Sequence, residues 1–212
     1  MKISAVIPAY NEEKTIGSVL KTLKQVRLVD EILVVNDGSR DNTSQVAQGC
    51  GVKVLNLPQN QGKGAAVKAG VDNCKGDIVL LLDADLIGLE TYHVNDLIEP
   101  VLKGYADMTI GVFRSGRLRT DLAHRISPYL SGQRAVRRSI LDSISHLDAA
   151  GYGIEIALTR CIERHNIRTQ EVVLEDMTHV MKEEKLGFLR GFCERLKMYW
   201  HIFKGLKLYK TN

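Results

Sequence analysis

Long hydrophobic runs are missing from this sequence: the longest, Ile78 to Leu82, covers five residues, against the roughly 20 that a membrane-spanning helix needs. A secretory leader is not visible either, because Met1-Lys2-Ile3-Ser4 leads directly into a strand pattern. Cysteine is scarce, and Cys50, Cys74, Cys161 and Cys193 form no CxxC pair and no dense disulfide spacing. These features predict a soluble, cytoplasmic protein with reduced, packing thiols. Charge of one sign is also lacking: 29 Lys+Arg against 25 Asp+Glu leave +4. No Phe, Tyr or Trp lies among Arg114, Arg117, Arg119 and Arg125 to stack on bases, so a nucleic-acid surface is a poor reading. Biased tracts and internal repeats are absent, which excludes disorder, collagen and fibrous coiled coil.

What is present is alternation. Ile3, Ala5, Val6 and Ile7 predict a strand stopped by Pro8, which has no N–H for a ladder. Ile16, Val19, Leu20 and Leu23 follow at helical spacing behind Glu12 and Glu13, acidic residues suited to a helix amino end. Further strands are expected at Glu31 to Val35, Val52 to Leu55 and Asp77 to Leu82, with helices at Thr43 to Gly49 and Ala65 to Cys74 between them. Strands apolar at nearly every position are buried on both faces, so the fold class expected is α/β, a mostly parallel sheet covered by helices on both sides. The second half is less regular, with a helix over Tyr92 to Lys103, strands over Met108 to Val112 and Thr169 to Leu174, and helices at Ile140 to Ser145, Ile154 to His165 and Phe188 to Leu208. Residues 113–138, rich in arginine and broken by Gly116, Pro128 and Gly132, read as a mobile loop. One domain is expected: a nucleotide-binding half over 1–88, an acceptor half over 89–187 and a basic amphipathic helix over 188–212.

In open parallel sheets ligands bind beyond the carboxyl ends of the strands. Four polar sets follow those ends here: Pro8-Ala9-Tyr10-Asn11-Glu12-Glu13, Asn36-Asp37-Gly38-Ser39-Arg40-Asp41, Asn60-Gln61-Gly62-Lys63-Gly64 and Asp83-Ala84-Asp85. Taken singly, Asp37-Gly38-Ser39 reads equally as a turn with Asp41 capping the next helix. Gln61-Gly62-Lys63-Gly64 fails the phosphate-loop pattern, since no glycine stands five residues before Lys63. Asp83 and Asp85 are more telling. Two carboxylates ending a buried strand repel unless a cation lies between them, and Mg²⁺ or Mn²⁺ shared with phosphate oxygens resolves the repulsion.

In this order and spacing the four sets resemble the family 2 glycosyltransferases of the GT-A fold over residues 1–88. The resemblance implies a UDP- or GDP-sugar donor, with Pro8, Tyr10 and Glu12 lining the base and ribose pocket and Asp37 accepting a base N–H. It places Lys63 near the base or phosphates, Asp83 near the ribose, and Asp85 on the metal. Residues 131–187 resemble, more weakly, the acceptor half of the glucosyl-3-phosphoglycerate synthase-like and polyprenyl-phosphate sugar transferases, through Ser131 to Arg138 and Gly151-Tyr152-Gly153-Ile154-Glu155-Ile156. That implies an anionic acceptor, small or lipid-linked, met by arginines including Arg134 and Arg137. Glu155 is the candidate base or sugar ligand, its bland alternative being a charge at a helix amino end. His179 is the candidate to complete the metal site. The stripe Phe188, Phe192, Leu196, Tyr199, Trp200 and Phe203 suits packing on the domain or on a second copy, or lying on anionic lipid at the inner face of a membrane.

Three other classes call for different features. A nucleotidyltransferase wants a glycine-rich basic loop after its first strand, where this chain is acidic. A nicotinamide oxidoreductase wants GxGxxG there. A non-catalytic sugar-nucleotide binding module would keep nucleotide affinity without metal-dependent donor cleavage.

Overall fold

The computed structural model describes residues 1–113, 131–143 and 166–179, with Leu158 and Ile162 between them. The chain divides into two compact units, Met1–Thr178 and His179–Asn212. The first unit contains a seven-stranded sheet in the order β3-β2-β1-β4-β7-β6-β8. Its strands are β1 (Ile3–Ala9), β2 (Glu31–Asn36), β3 (Lys53–Asn56), β4 (Ile78–Leu81), β6 (Met108–Phe113), β7 (Arg134–Arg137) and β8 (Thr169–Leu174). Leu86–Ile87 (β5) forms a small ribbon with the strand that opens at Thr178 (β9, Thr178–His179). The helices are α1 (Ile16–Leu23), α2 (Thr43–Gly49), α3 (Lys63–Asn73), α4 (Thr91–Leu102) and α5 (Arg138–Ser143).

Alternation along each strand divides the interior into two cores. On β1, Ile3, Ala5, Ile7 and Ala9 face the core that also holds Ile16, Val19, Leu20 and Leu23 of α1 and Val94, Leu97, Ile98 and Val101 of α4. Val6 faces the other way, toward Ala66, Val67 and Val71 of α3. On β4, Ile78 and Leu80 join the first core and Val79 and Leu81 the second. That is why these strands are apolar at nearly every position.

Two expectations fail instructively. β1 does not stop at Pro8 but runs to Ala9, with Pro8 in register with Val35 of β2. Even-numbered residues of β1 turn their polar groups toward β4, as the Val6 carbonyl does in accepting the Leu82 N–H at 3.3 Å. β4 ends at Leu81, so the donor that Pro8 lacks points where no strand remains to need it. The second failure concerns the arginine-rich stretch, whose last part is not a loop. Arg134–Arg137 is β7, antiparallel to both β4 and β6 and, among the described residues, the one antiparallel insertion in an otherwise parallel sheet. The remainder of that stretch, 114–130, lies outside the described residues, as do the helix expected over 188–212, Cys161 and Cys193. Cys50 and Cys74 are free. Among the described residues no helix is long and apolar enough to cross a membrane.

Candidate active site

At the carboxyl edge of the sheet, the first two loops are laced to one another before they hold anything else. Asn11, in a left-handed conformation (φ 57°), accepts the Arg40 N–H through Oδ1 at 2.8 Å, and its own N–H donates to Ser39 Oγ at 3.0 Å. The Glu12 N–H donates to buried Thr43 Oγ1 at 2.7 Å, and the Glu12 carboxylate accepts from Thr15 Oγ1 at 2.9 Å. Glu13, expected to favour the amino end of α1, reaches across instead and accepts from Asn42 N and Nδ2, both at 3.0 Å, at the start of α2. Asp41 accepts the N–H groups of Glu13 and Thr43 at 3.1 and 3.0 Å. Burial works against its charge, yet these bonds and the Thr43 hydroxyl together hold its carboxyl below the ordinary range. Asn42, not Asp41, is the N-cap residue of α2, but the Asp41 carboxylate one position earlier serves the first N–H of that helix.

Asp37 is almost wholly buried, at 3% exposure. Its Oδ1 accepts the Gln61 N–H at 2.8 Å and its Oδ2 the Gly62 N–H at 2.9 Å. Gly62 precedes α3 and has no side chain with which to cap it, so Asp37 places a carboxylate at that positive helix end from 25 residues away. Gly38 makes the approach feasible: with φ +67°, a Cβ there would lie 2.5 Å from the Gln59 carbonyl carbon. Each Asp37 oxygen retains a further lone pair, but its first task is to fix the 59–62 loop. Pro8 is half-buried and Tyr10 is 41% exposed on the same edge.

Asp83 and Asp85 leave the end of β4 in different situations. Lys63, the first residue of α3, sits 2.7 Å from Asp83 Oδ1. Gln133 Nε2 donates to Asp83 Oδ2 at 2.9 Å. Gly132 backs this group so closely that a Cβ there would lie 2.7 Å from both Asp83 oxygens and from Lys63 Nζ. Pro8, Lys63, Val67, Leu81, Leu82, Asp83, Ser131, Gly132, Arg134 and Leu158 line one small pocket. Asp83 is thus compensated by a cation and a carboxamide, and half-buried Asp85 lies two residues on. Among the described residues no group of three His, Cys, Asp or Glu side chains converges. A divalent ion there would therefore complete its shell with phosphate oxygens and with groups beyond these residues. Strand β9 ends at His179, whose side chain lies outside the described residues, as does Glu155.

The two candidate arginines part company. Arg134 is at the site edge, 1% exposed, donating through Nε to the Ser131 carbonyl at 3.0 Å. Arg137 is not at the site. It pairs with Ile78 at the start of β4 while Arg134 pairs with Leu81 at its end, which puts it about 10 Å away along the strand. There its Nε lies 3.3 Å from Asp107 Oδ1, a structural ion pair. Antiparallel β7, invisible as a strand in the sequence, is the reason. Gln133 and Ser131 were missed as well. Their signal was a glycine set between polar residues immediately before Arg134, a pattern that fits a close backbone approach to a polar group.

A mostly parallel sheet with one antiparallel insertion, carrying Asp83-Ala84-Asp85 at its carboxyl edge, is the architecture of a GT-A glycosyltransferase. The chain belongs to glycosyl transferase family 2, whose model matches residues 4–161. It is similar to glucosyl-3-phosphoglycerate synthase of Mycobacterium tuberculosis, 34% identical over 194 residues covering 74% of this chain and 59% of that one. It is also similar to undecaprenyl-phosphate 4-deoxy-4-formamido-L-arabinose transferase of Pseudomonas fluorescens, 35% identical over 147 residues, 65% of this chain and 42% of the other. The crystal structure of the Mycobacterium tuberculosis synthase with Mn²⁺, UDP-glucose and phosphoglyceric acid superposes with a TM-score of 0.72 at 33% identity, over 84% of this chain and 71% of that one. The same synthase has been crystallised with Mg²⁺ and UDP. This chain spans about 59% of the length of the curated synthase.

Proposed function

We propose that this protein transfers a sugar from a nucleoside-diphosphate sugar, a UDP-sugar in the first instance, to a small phosphorylated acceptor, using Mg²⁺ or Mn²⁺. The observation that carries this is the convergence on Asp83 beyond the end of β4, where Lys63 from α3 and Gln133 from the segment before β7 hold its carboxylate in the pocket. Asp85, two residues on, is the residue we assign to the cation. Likeness to a synthase crystallised with UDP-glucose, Mn²⁺ and phosphoglyceric acid supports the choice of donor, ion and acceptor. A polyprenyl phosphate is the second acceptor to test, on the likeness to the undecaprenyl-phosphate transferase; the apolar stripe over 188–212 would then meet lipid.

When bound, the divalent ion neutralises charge that develops on the diphosphate leaving group. The protein's residues do the positioning. Asp37 and Gly38 fix the loop before α3, so that Lys63 at the head of that helix stays beside Asp83 and near the phosphates. Tyr10, Pro8 and Glu12 bound the base and ribose on the adjacent loop. Arg134, buried beneath the pocket, adds positive potential toward an acceptor phosphate. Glu155 and His179 are proposed as sugar ligand or base and as second metal ligand. A polyprenyl phosphate would attack through an oxygen that is already nucleophilic and would need no strong base, whereas a phosphoglycerate would attack through a hydroxyl whose proton must be accepted as the glycosidic bond forms and the nucleoside diphosphate leaves.

Thermal unfolding with UDP, GDP, CDP and dTDP, each with Mn²⁺ or EDTA, tests the reading. A diphosphate at about 100 times its dissociation constant should add roughly 2.7 kcal/mol of stability. Stabilisation by UDP that EDTA abolishes, followed by transfer from UDP-glucose to 3-phosphoglycerate, is the expected result. Metal-dependent binding with no release of UDP in the presence of either acceptor would leave a binding module, and no response to any diphosphate would remove the reading altogether.

A further inference from the structure

Burying a carboxamide is unfavourable unless its polar atoms find partners, and Gln133 is 0% exposed. Its main chain is pinned to the neighbouring strand, the Gly111 N–H donating to the Gln133 carbonyl at 2.8 Å. Its side chain has one arrangement that chemistry allows. Nε2 faces Asp83 Oδ2 at 2.9 Å, and exchanging the two ends of the amide would set oxygen against carboxylate oxygen. Oε1 then lies 3.1 Å from Ser131 Oγ, which accepts the Gln133 N–H at 3.3 Å and shares its one proton between Oε1 and the Gly111 carbonyl. Ser131 is itself 7% exposed. A buried polar chain therefore runs from Gly111 on β6 through Ser131 and Gln133 to Asp83. It meets Lys63 from α3 at the carboxylate's other oxygen.

We propose that Gln133 is a positioning residue of the donor site: its carboxamide, oriented by Ser131, fixes the Asp83 carboxylate and thereby sets affinity for the nucleotide sugar. The inference rests on the nucleotide-sugar reading above and extends it to Gln133, in the segment that leads into β7. Asp83 is gripped from both sides, by a charge that follows it if it moves and by an amide that does not. Lysine is a point charge on a flexible stem and tolerates several carboxylate rotamers. The buried amide accepts one. Removing it should leave Asp83 in the site with its direction lost, which weakens contacts to the donor and leaves the acceptor alone.

The experiment is a steady-state comparison of wild type, Gln133→Met, Ser131→Ala and the double variant, varying UDP-glucose and acceptor separately at saturating Mn²⁺. Gln133→Met, of similar length and without polar hydrogens, should raise the donor KM about tenfold, the size of one lost hydrogen bond to a charged group, with the acceptor KM within twofold. Ser131→Ala should raise the donor KM about threefold, and should add nothing in the Gln133→Met background because it acts through Gln133. A purely structural role would lower the active fraction, and so kcat, with both KM values unchanged. A donor KM within twofold of wild type in Gln133→Met, or fully additive effects in the double variant, would overturn the proposal. If Gln133→Met does not fold, Ser131→Ala decides alone, and an unchanged donor KM there overturns it equally. A wild type with no affinity for any nucleoside diphosphate would remove the reading and this inference together, while normal wild-type affinity retained in Gln133→Met removes the inference only.

Discussion

The two edges of the sheet carry similar residues and use them in opposite ways. At the amino edge every named carboxylate is absorbed by the strands it joins. Asp77 accepts the Lys2 N–H and Asp30 the Ile3 N–H, both at 2.8 Å. Glu31 accepts from Ser4 Oγ and from the Lys75 N–H. Arg138 donates to three carbonyls, of Gly76, Val71 and Cys74, at 2.7, 3.0 and 2.9 Å. Arg168 grips Asp107 with Nε and a terminal nitrogen at 3.0 and 2.8 Å. At the carboxyl edge the charges converge from β4, α3 and β7 on one pocket. Charge spent on backbone groups or on a closed ion pair is architecture, at either edge, and charge gathered around a pocket marks a candidate site.

The sharpest way to break that comparison is at Asp85. On the metal assignment proposed above, Asp85→Ala should lose transfer by orders of magnitude in protein that still folds, because the ion that would neutralise the leaving diphosphate is no longer held. Near-normal turnover in the folded variant would refute the metal assignment. Next in size is Gly132→Ala, which forces a methyl group to 2.7 Å from the Asp83 oxygens and Lys63 Nζ. Both side chains must move, and the dissociation constant for UDP should rise at least tenfold by titration calorimetry. Arg138→Met is the amino-edge counterpart. Leaving three carbonyls without their charged donor should cost about 3 kcal/mol, roughly 6–12 °C in melting temperature, with both KM values unchanged in the folded fraction. A change in donor KM there would erase the distinction between the edges.

Much of this was open to reading in the sequence, and the boundary is physical. The first four parallel strands and their helices are apolar at the positions that face two cores, so periodicity alone locates them. The loops holding Asp37, Asp83 and Asp85 follow, because ligands gather at the carboxyl ends of parallel strands. β7 was hidden since Ala135 and Val136 are its only apolar residues, flanked by arginines whose partners come from other strands. Arg134 and Arg137 are the same residue type three positions apart, and only the direction of the strand decides that one reaches the pocket and the other Asp107. Gln133 meets Asp83 across 50 positions of sequence, a separation that no local pattern records.

The smallest predicted effect tests the amino edge through pH. The hydrogen bond from Arg168, joined by the charge of Arg137, outweighs burial and holds the Asp107 carboxyl below its usual range. Burial pushes Glu31 the other way, but the Ser4 hydroxyl and Lys75 N–H, with Lys53, bring it below its usual range too. A carboxyl whose native value is depressed binds protons more readily in the unfolded chain. Its stabilisation is complete above the unfolded value, near pH 4, and is lost as pH falls through the native one. Asp107→Asn cannot titrate, so its melting temperature should lie about 1–3 °C below wild type at pH 7, a modest gap because the pair is partly exposed. The gap should close as the pH is lowered from 5 toward 3, where the wild-type carboxylate protonates and loses the same interaction. A gap that stays constant over that range would mean that Asp107 contributes by shape, and that the ionic half of the amino-edge account is wrong.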